Sequence, residues 1–254
     1  QTAAIHSIGG LTPRAGHWHH RPYRTPHHSA SAVALVGGGS HPRPGEISLA
    51  HNGVLFLDEL PEFERKVLDS LREPLETGHI TISRAARQVD FPARFQLVGA
   101  MNPSPCGHYG DGQTRSSPDQ ILRYLGKLSG PFLDRFDLTV EVPLLPKGSL
   151  TGKAERGESS RQIRDRVLGA RERMLSRNGK LNNLLDSREI EDLCRLSPQD
   201  AEFLENAIQK LGLSIRAWHR ILRVSRTIAD LAGRPAIEKE HLIEALGYRA
   251  MDRL

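Results

Sequence analysis

The chain has 254 residues, 38% hydrophobic and 26% charged, with a net charge of +5 and two cysteines; this suits a globular protein of one large domain or two smaller ones. No run of about 18 apolar residues is present to cross a membrane, no basic-then-apolar leader opens the chain, and Cys106 with Cys194 is too few for a disulfide scaffold, so a reducing cytoplasm is the expected setting. The positive charge permits a nucleic-acid partner without establishing one.

Residues 1–32 are rich in His, Pro and Gly, with His17, His19, His20, His27 and His28 crowded into a loop-like stretch. Imidazoles can hold Zn²⁺, but the spacing matches no closed tetrahedral scheme; the plainer reading is an exposed loop of stacking, hydrogen-bonding rings. Gly37-Gly-Gly-Ser40 suggests a phosphate cradle, yet G-x-x-x-x-G-K-[ST] occurs nowhere in the chain, so a flexible or tightly turned loop is expected instead. The start at Gln1-Thr-Ala-Ala-Ile, without Met, reads as a piece cut from a longer chain.

The chain is organised around Gly53-Val-Leu-Phe-Leu-Asp58-Glu59-Leu60. Its apolar run predicts a strand of a parallel sheet, buried on both faces. Ligand crevices of open α/β sheets lie at the carboxyl ends of the strands, which puts Asp58 and Glu59 at the mouth of a site. Mg²⁺ takes oxygen ligands, and phosphates complete its shell. In phosphoryl transfer one acid holds the metal while a neighbouring group orients the attacking water. This is a Walker B pattern, Asp58 for the metal and Glu59 for the water; the alternative is a strand that ends in an exposed acidic turn.

Pro61 then opens a predicted helix carrying Phe63, Val67, Leu68 and Leu71 at helical spacing, with Pro74 at its limit. His79–Ser83, a turn over Arg84–Arg87 and a return over Gln88–Phe91 predict a hairpin. Phe95–Asn102 predicts a second buried strand ending in a polar residue, Pro103–Pro118 a loop, Ile121–Leu128 a short helix and Leu138–Pro143 a third strand. Residues 146–160 have linker composition. Beyond them the pattern is helical. Ile163, Val167, Ala170 and Met174 form a stripe ended by Asn178-Gly179, Asp186 with Glu189 reads as a capping box, and Ser197-Pro198 as an N-cap with Pro behind it. Ile215, Trp218, Ile221, Leu222, Ile228 and Ala229 line a long helix that stops near Gly233, and a last helix starts at about Glu238. The expected fold is α/β followed by all-α: a core over 1–145, a linker over 146–160 and a helical lid over 161–254.

Three more residues have chemistry to offer. Asn102, at the end of the strand expected beside the acidic one, can hold a water through its amide; its plain alternative is an Asn that favours a turn before Pro103. Arg135 can stabilise charge on a transferring phosphoryl group, often from a neighbouring subunit; its plain alternative is an ion pair with Asp134 or Asp137. Arg216 opens the long helix with Arg220 and Arg223 behind it, a run that otherwise reads as a solvated basic stripe.

Gly53–Leu60, Ala100-Met-Asn-Pro103, Ser129–Leu138 and Leu213–Leu231 together resemble the magnesium-chelatase-like AAA+ ATPases, most closely the bacterial ComM (YifB) competence branch; Arg21–His28, Val36–Gly39 and Pro44–Asn52 resemble the same family's stretches ahead of Walker B. The resemblance implies an AAA+ P-loop core with a helical lid, using ATP and Mg²⁺ in a hexameric ring whose nucleotides lie between subunits. It also implies a DNA helicase acting in branch migration during DNA uptake. By motif, Asp58 and Glu59 resemble Walker B, Asn102 sensor 1, Arg135 the arginine finger and Arg216 sensor 2, while His79–Phe91 resembles the hairpin that projects into the central channel of related motors. The family places Walker A upstream of Gln1, so the fragment is not expected to hydrolyse ATP alone. Ser104 stands where the ComM branch often has a cysteine; with Cys106 alone, a closed Cys₄ zinc site is excluded in this loop and no zinc is expected. The alternatives are the motor of a magnesium chelatase and a DNA-binding or scaffold module without catalysis.

Overall fold

The computed structural model describes residues 1–11, 19–39, 41–84, 87–107, 115–143 and 157–249. His17 and most of the expected linker, residues 146–156, lie outside the described residues. The rest forms two units, Gln1–Phe136 and Asp137–Leu254.

The first unit begins with α1 (Thr2–Ile8), β1 (Tyr23–Arg24) and α2 (Ala32–Val36), which Ser31 caps by accepting the Ala34 N–H. β2 (Gly37–Gly38) then pairs antiparallel with β3 (Arg43–Pro44), ahead of α3 (Glu46–Leu49). The glycine run is thus tightly turned and packed. A Cβ on Gly37 would stand 2.3 Å from the Arg43 carbonyl oxygen, and one on Gly45 2.3 Å from that of Leu35, so neither position has room for a side chain.

β4 (Val54–Leu57) is the middle strand of a parallel sheet in the order β1-β4-β7, with β7 spanning Gln96–Gly99. Tyr23 pairs with Val54, and Val54 through Leu57 pair with Gln96 through Gly99. Leu55 and Leu57 are fully buried, whereas Val54 and Phe56 are only half-buried, with Phe56 stacked on Tyr23. The expectation of burial on both faces therefore holds for one face alone. The apolar run reflects two unequal environments that composition could not separate.

A 3₁₀ turn (Leu60–Glu62), α4 (Arg65–Asp69) and α5 (Arg72–Thr77) replace the single helix expected after Pro61. Pro74 does not limit that helix. It lies in the first turn of α5, where its missing N–H has no partner to lose. β5 (His79–Arg84) and β6 (Arg87–Pro92) form the expected hairpin, from His79↔Pro92 at the base to Arg84↔Arg87 at the top. Ile80, Ile82 and Phe91 are buried in the same core as Leu55, Leu57 and Phe63, which anchors the hairpin's base. α6 (Pro118–Leu125) and α7 (Gly130–Leu133) complete the unit, and Ser117 and Ser129 cap them.

Residues 138–143 form no strand. Leu138, Val140 and Val142 are exposed, and the Thr139 N–H goes to the Tyr248 carbonyl at 2.9 Å. The alternation is that of a strand, but among the described residues no neighbouring strand lies alongside to complete a ladder.

The second unit holds α8 (Ser160–Asn178), α9 (Ser187–Leu193), α10 (Pro198–Leu211), α11 (Ile215–Leu231) and α12 (Lys239–Gly247). The predicted caps are present: Asp186 with Glu189 closes a capping box, and Ser197 accepts the Asp200 N–H ahead of Pro198. α11 is the central helix, packed against α8, α9 and α12, with Ala217, Ile221, Leu222 and Ala229 turned inward. Its last turns carry a buried charged cluster centred on Asp230. Asp230 takes both nitrogens of the Arg177 fork (2.7 and 2.8 Å), the Asn182 amide (2.9 Å) and Arg226 (3.1 Å). Burial pushes the nearby Cys194 thiol up to about 11, so it is an inert core residue.

Candidate active site

The site is built where β4 and β7 end. Because the strands are parallel and in register at Leu57↔Gly99, the chain leaves both at the same edge. The two exits are tied together: the Ala100 N–H donates to the Leu57 carbonyl at 2.8 Å and the Leu60 N–H to the Ala100 carbonyl at 2.9 Å. Asp58 and Glu59 follow β4, and Asn102 follows β7; all three are exposed. The sheet thus brings Asp58, Glu59 and Asn102 to adjacent strand ends.

Glu59 has φ 52° and ψ 47°, the left-handed region that a residue with a Cβ enters at a cost of about 1 kcal/mol or more. Asp58 helps hold it there, its Oδ1 accepting the Glu59 N–H at 2.9 Å. The Glu59 carboxylate meets His28 Nδ1 at 2.9 Å. His28 is itself fixed, with its ring 4.1 Å from that of His27 and edge-on to Phe63 at 6.4 Å. The histidine stretch therefore does not merely decorate a loop; one of its rings grips an acid of the site. Tyr124 of α6 lies near the Asn102 backbone. Burial pushes the Tyr124 hydroxyl upward, with Glu62 and Glu59 adding to it, so it stays a neutral phenol.

Arg135 lies just after α7, and its side chain is only 8% exposed. Its Nη1 donates to the Pro131 carbonyl at 2.6 Å and its Nη2 to the Glu76 carboxylate of α5. Glu76 is a partner that the sequence did not suggest. Arg216 is exposed at the start of α11, in the second unit. Arg223 is half-buried and donates to the Leu185 carbonyl at 3.0 Å, so the basic run is not simply solvated. Sequence reasoning missed His28, Tyr124 and Glu76. A doubled histidine was the one visible signal, and it pointed to metal or to a bland loop as readily as to a carboxylate.

The donor set suits a hard cation. Asp58 offers an accessible carboxylate beside a backbone amide, and Glu59 and Asn102 offer further oxygens, all ligand types that Mg²⁺ accepts. Among the described residues no helix is long and apolar enough to cross a membrane.

A parallel sheet with two acids and an asparagine at adjacent carboxyl ends, followed by a helical unit, is an α/β architecture whose ligand groups lie at the strand ends; the AAA+ form of it is implied by the family matches. Comparison with known families narrows this. Residues 1–150 match the family of magnesium chelatase subunit ChlI, and residues 157–249 match that subunit's C-terminal family. The chain belongs to this magnesium-chelatase family. It is 63% identical over all its residues to the competence protein ComM of Haemophilus influenzae and 57% identical to the protein YifB of Escherichia coli, covering 50% of each. It is also 31% identical to the magnesium-chelatase 38 kDa subunit of Cereibacter sphaeroides, over 43% of this chain and 27% of that one. The chain thus spans half the length of the relatives it matches throughout.

Proposed function

We propose that the chain is the C-terminal part of an ATP-driven AAA+ motor of the ComM type, a hexameric ring that moves DNA strands during branch migration. The observation that carries the reading is the delivery of Asp58, Glu59 and Asn102 to adjacent ends of β4 and β7. In this reading Asp58 and the nucleotide's phosphates hold Mg²⁺, which when bound offsets the phosphate charge. Glu59 accepts the proton of the attacking water, and the Asn102 amide orients that water. Arg135 serves the nucleotide of the adjoining subunit, and Arg216 contacts nucleotide from the helical unit. The β5–β6 hairpin is the element offered to DNA, with Arg84 and Arg87 at its tip. Identity of 63% across the whole chain to a ComM protein, against 23% over 80% of the chain to a chelatase subunit homolog and 31% over 43% of it to a chelatase 38 kDa subunit, favours the ComM type over a chelatase motor.

Glu59→Gln tests the reading in the full-length protein. ATP binding should persist, while turnover falls by about 10²–10⁴-fold, the scale for loss of a general base. Wild-type turnover in that variant refutes the assignment.

A further inference from the structure

An arginine side chain is long and flexible, so where its fork points is decided by whatever its nitrogens bind. At Arg135 there are two anchors. The Pro131 carbonyl belongs to α7, just ahead of Arg135, and fixes Nη1. Nη2 is fixed by Glu76, 59 residues earlier in the chain. Nε is buried without a hydrogen-bond partner, so Glu76 supplies the second of the two points that define the guanidinium plane.

Glu76 is poorly explained as a fold residue. It is 52% exposed, in the last turn of α5, and fills no part of the core. Its place is nonetheless rigid. α5 ends at Gly78 in the left-handed conformation, and the Gly78 carbonyl accepts the Ala93 N–H at 2.7 Å, which closes the base of the hairpin. A carboxylate on a fixed helix end, aimed at a largely covered guanidinium, is how a flexible cation is given one direction.

We propose that Glu76 is the positioning residue for Arg135: it sets the direction of the guanidinium that acts on the phosphate. This rests on the reading of Arg135 as the residue that serves the adjoining nucleotide. Preorganised charge is worth most where no reorganisation is needed during reaction, and a misplacement of about 1 Å can cost on the order of 10²-fold in rate. Glu76 touches no reacting atom in this scheme and acts through Arg135 alone.

The test is steady-state ATP hydrolysis by the full-length protein in five forms: wild type, Glu76→Gln, Glu76→Asp, Arg135→Ala and the Glu76→Gln/Arg135→Ala double variant. Glu76→Gln keeps the volume and one acceptor oxygen but loses the charge. Its kcat should fall by about 10- to 100-fold with KM for ATP little changed and the melting temperature close to wild type. A purely structural role would shift melting and leave that split absent. Glu76→Asp, one methylene shorter with the charge kept, should fall in between, and it carries the test if Glu76→Gln does not fold. The double variant should be no slower than Arg135→Ala, because one residue acts through the other. A wild-type or raised kcat in the Glu76 variants, or additive losses in the double variant, overturns the proposal. If Arg135→Ala hydrolyses ATP normally, the reading of Arg135 falls as well; if Arg135→Ala is inactive while Glu76→Gln is normal, the positioning role alone falls.

Discussion

Asp230 offers the sharpest test of what holds the helical unit together. It is 1% exposed, in the last turn of α11, and Arg226 one turn before it is 2% exposed. Replacing Asp230 with Ala leaves the Arg226 charge buried without its carboxylate. The bonds from Arg226 to the Pro235 and Arg234 carbonyls, at 2.9 and 2.7 Å, would remain. Arg177 would keep its bond to Asn182 at 2.8 Å. Removing one partner of such a buried pair costs roughly 3–5 kcal/mol, a large fraction of a domain's stability. The pH dependence separates charge from packing. Burial pushes the Asp230 carboxyl upward, but the bonds from Arg177 and Asn182 and the charge of Arg226 outweigh it, so its pKa lies below the usual value of 3.8. A depressed carboxyl contributes stability that is fully present above the unfolded value and lost as pH falls through the folded one. Arg177 is raised by its bond to Asp230 and Arg226 is lowered by burial, yet guanidinium groups stay charged throughout. Urea melts of wild type and Asp230→Ala should therefore differ by that full amount from neutral pH down to about pH 4 and converge below it. A loss under about 1 kcal/mol at pH 7, or one undiminished under acid, would refute the assignment of the cost to charge.

Two further outcomes are expected. Arg135→Ala in the full-length protein should leave ATP binding intact while hydrolysis falls by about 10³–10⁵-fold, and mixing it with Glu59→Gln subunits should restore part of the activity, since some interfaces then combine an intact Glu59 with an intact Arg135; absence of recovery in mixed rings of shown composition counts against a shared site. Residues 1–254 alone contain no G-x-x-x-x-G-K-[ST] cradle and should bind ATP weakly or not at all, whereas tight Mg²⁺-dependent binding by calorimetry would mean that the Gly37–Gly39 turn does more than pack.

Much of the fold was legible because its signals are local. β4, β7, the hairpin and the helical caps each follow from a few neighbouring residues: an apolar run, an alternation, or an Asp186 three positions before Glu189; the burial expected of β7 does not hold, since Gln96, Val98 and Gly99 are exposed. The misreadings share another cause. Leu138–Pro143 alternates like a strand, but a strand exists only where a neighbour accepts its ladder, and no local pattern encodes the neighbour. Pro74 looked like a stop because its spacing suggested the end of a helix. The chain had already broken at Ser70 and restarted, which put the proline where a helix tolerates it.

The site shows the same division more clearly. Asp58, Glu59, Asn102 and Arg135 sit in motifs whose residue types and order can be read without coordinates. The groups that hold them cannot. His28 reaches Glu59 from the loop beyond β1, Glu76 reaches Arg135 from α5, and Tyr124 of α6 comes near the Asn102 backbone. Each partner is distant in sequence and of a type that is unremarkable where it stands: a histidine in a loop, a tyrosine on a short amphipathic helix, a glutamate at a helix end. Their significance arises only when the parallel sheet sets the elements side by side. Chemistry requires particular atoms at particular places, so the reacting residues leave a pattern in the sequence. Orientation requires only that some group reach them, so the fold is free to supply it from anywhere. An effect on turnover that appears at Glu76 but vanishes once Arg135 is gone would therefore be a property of the fold and not of any motif.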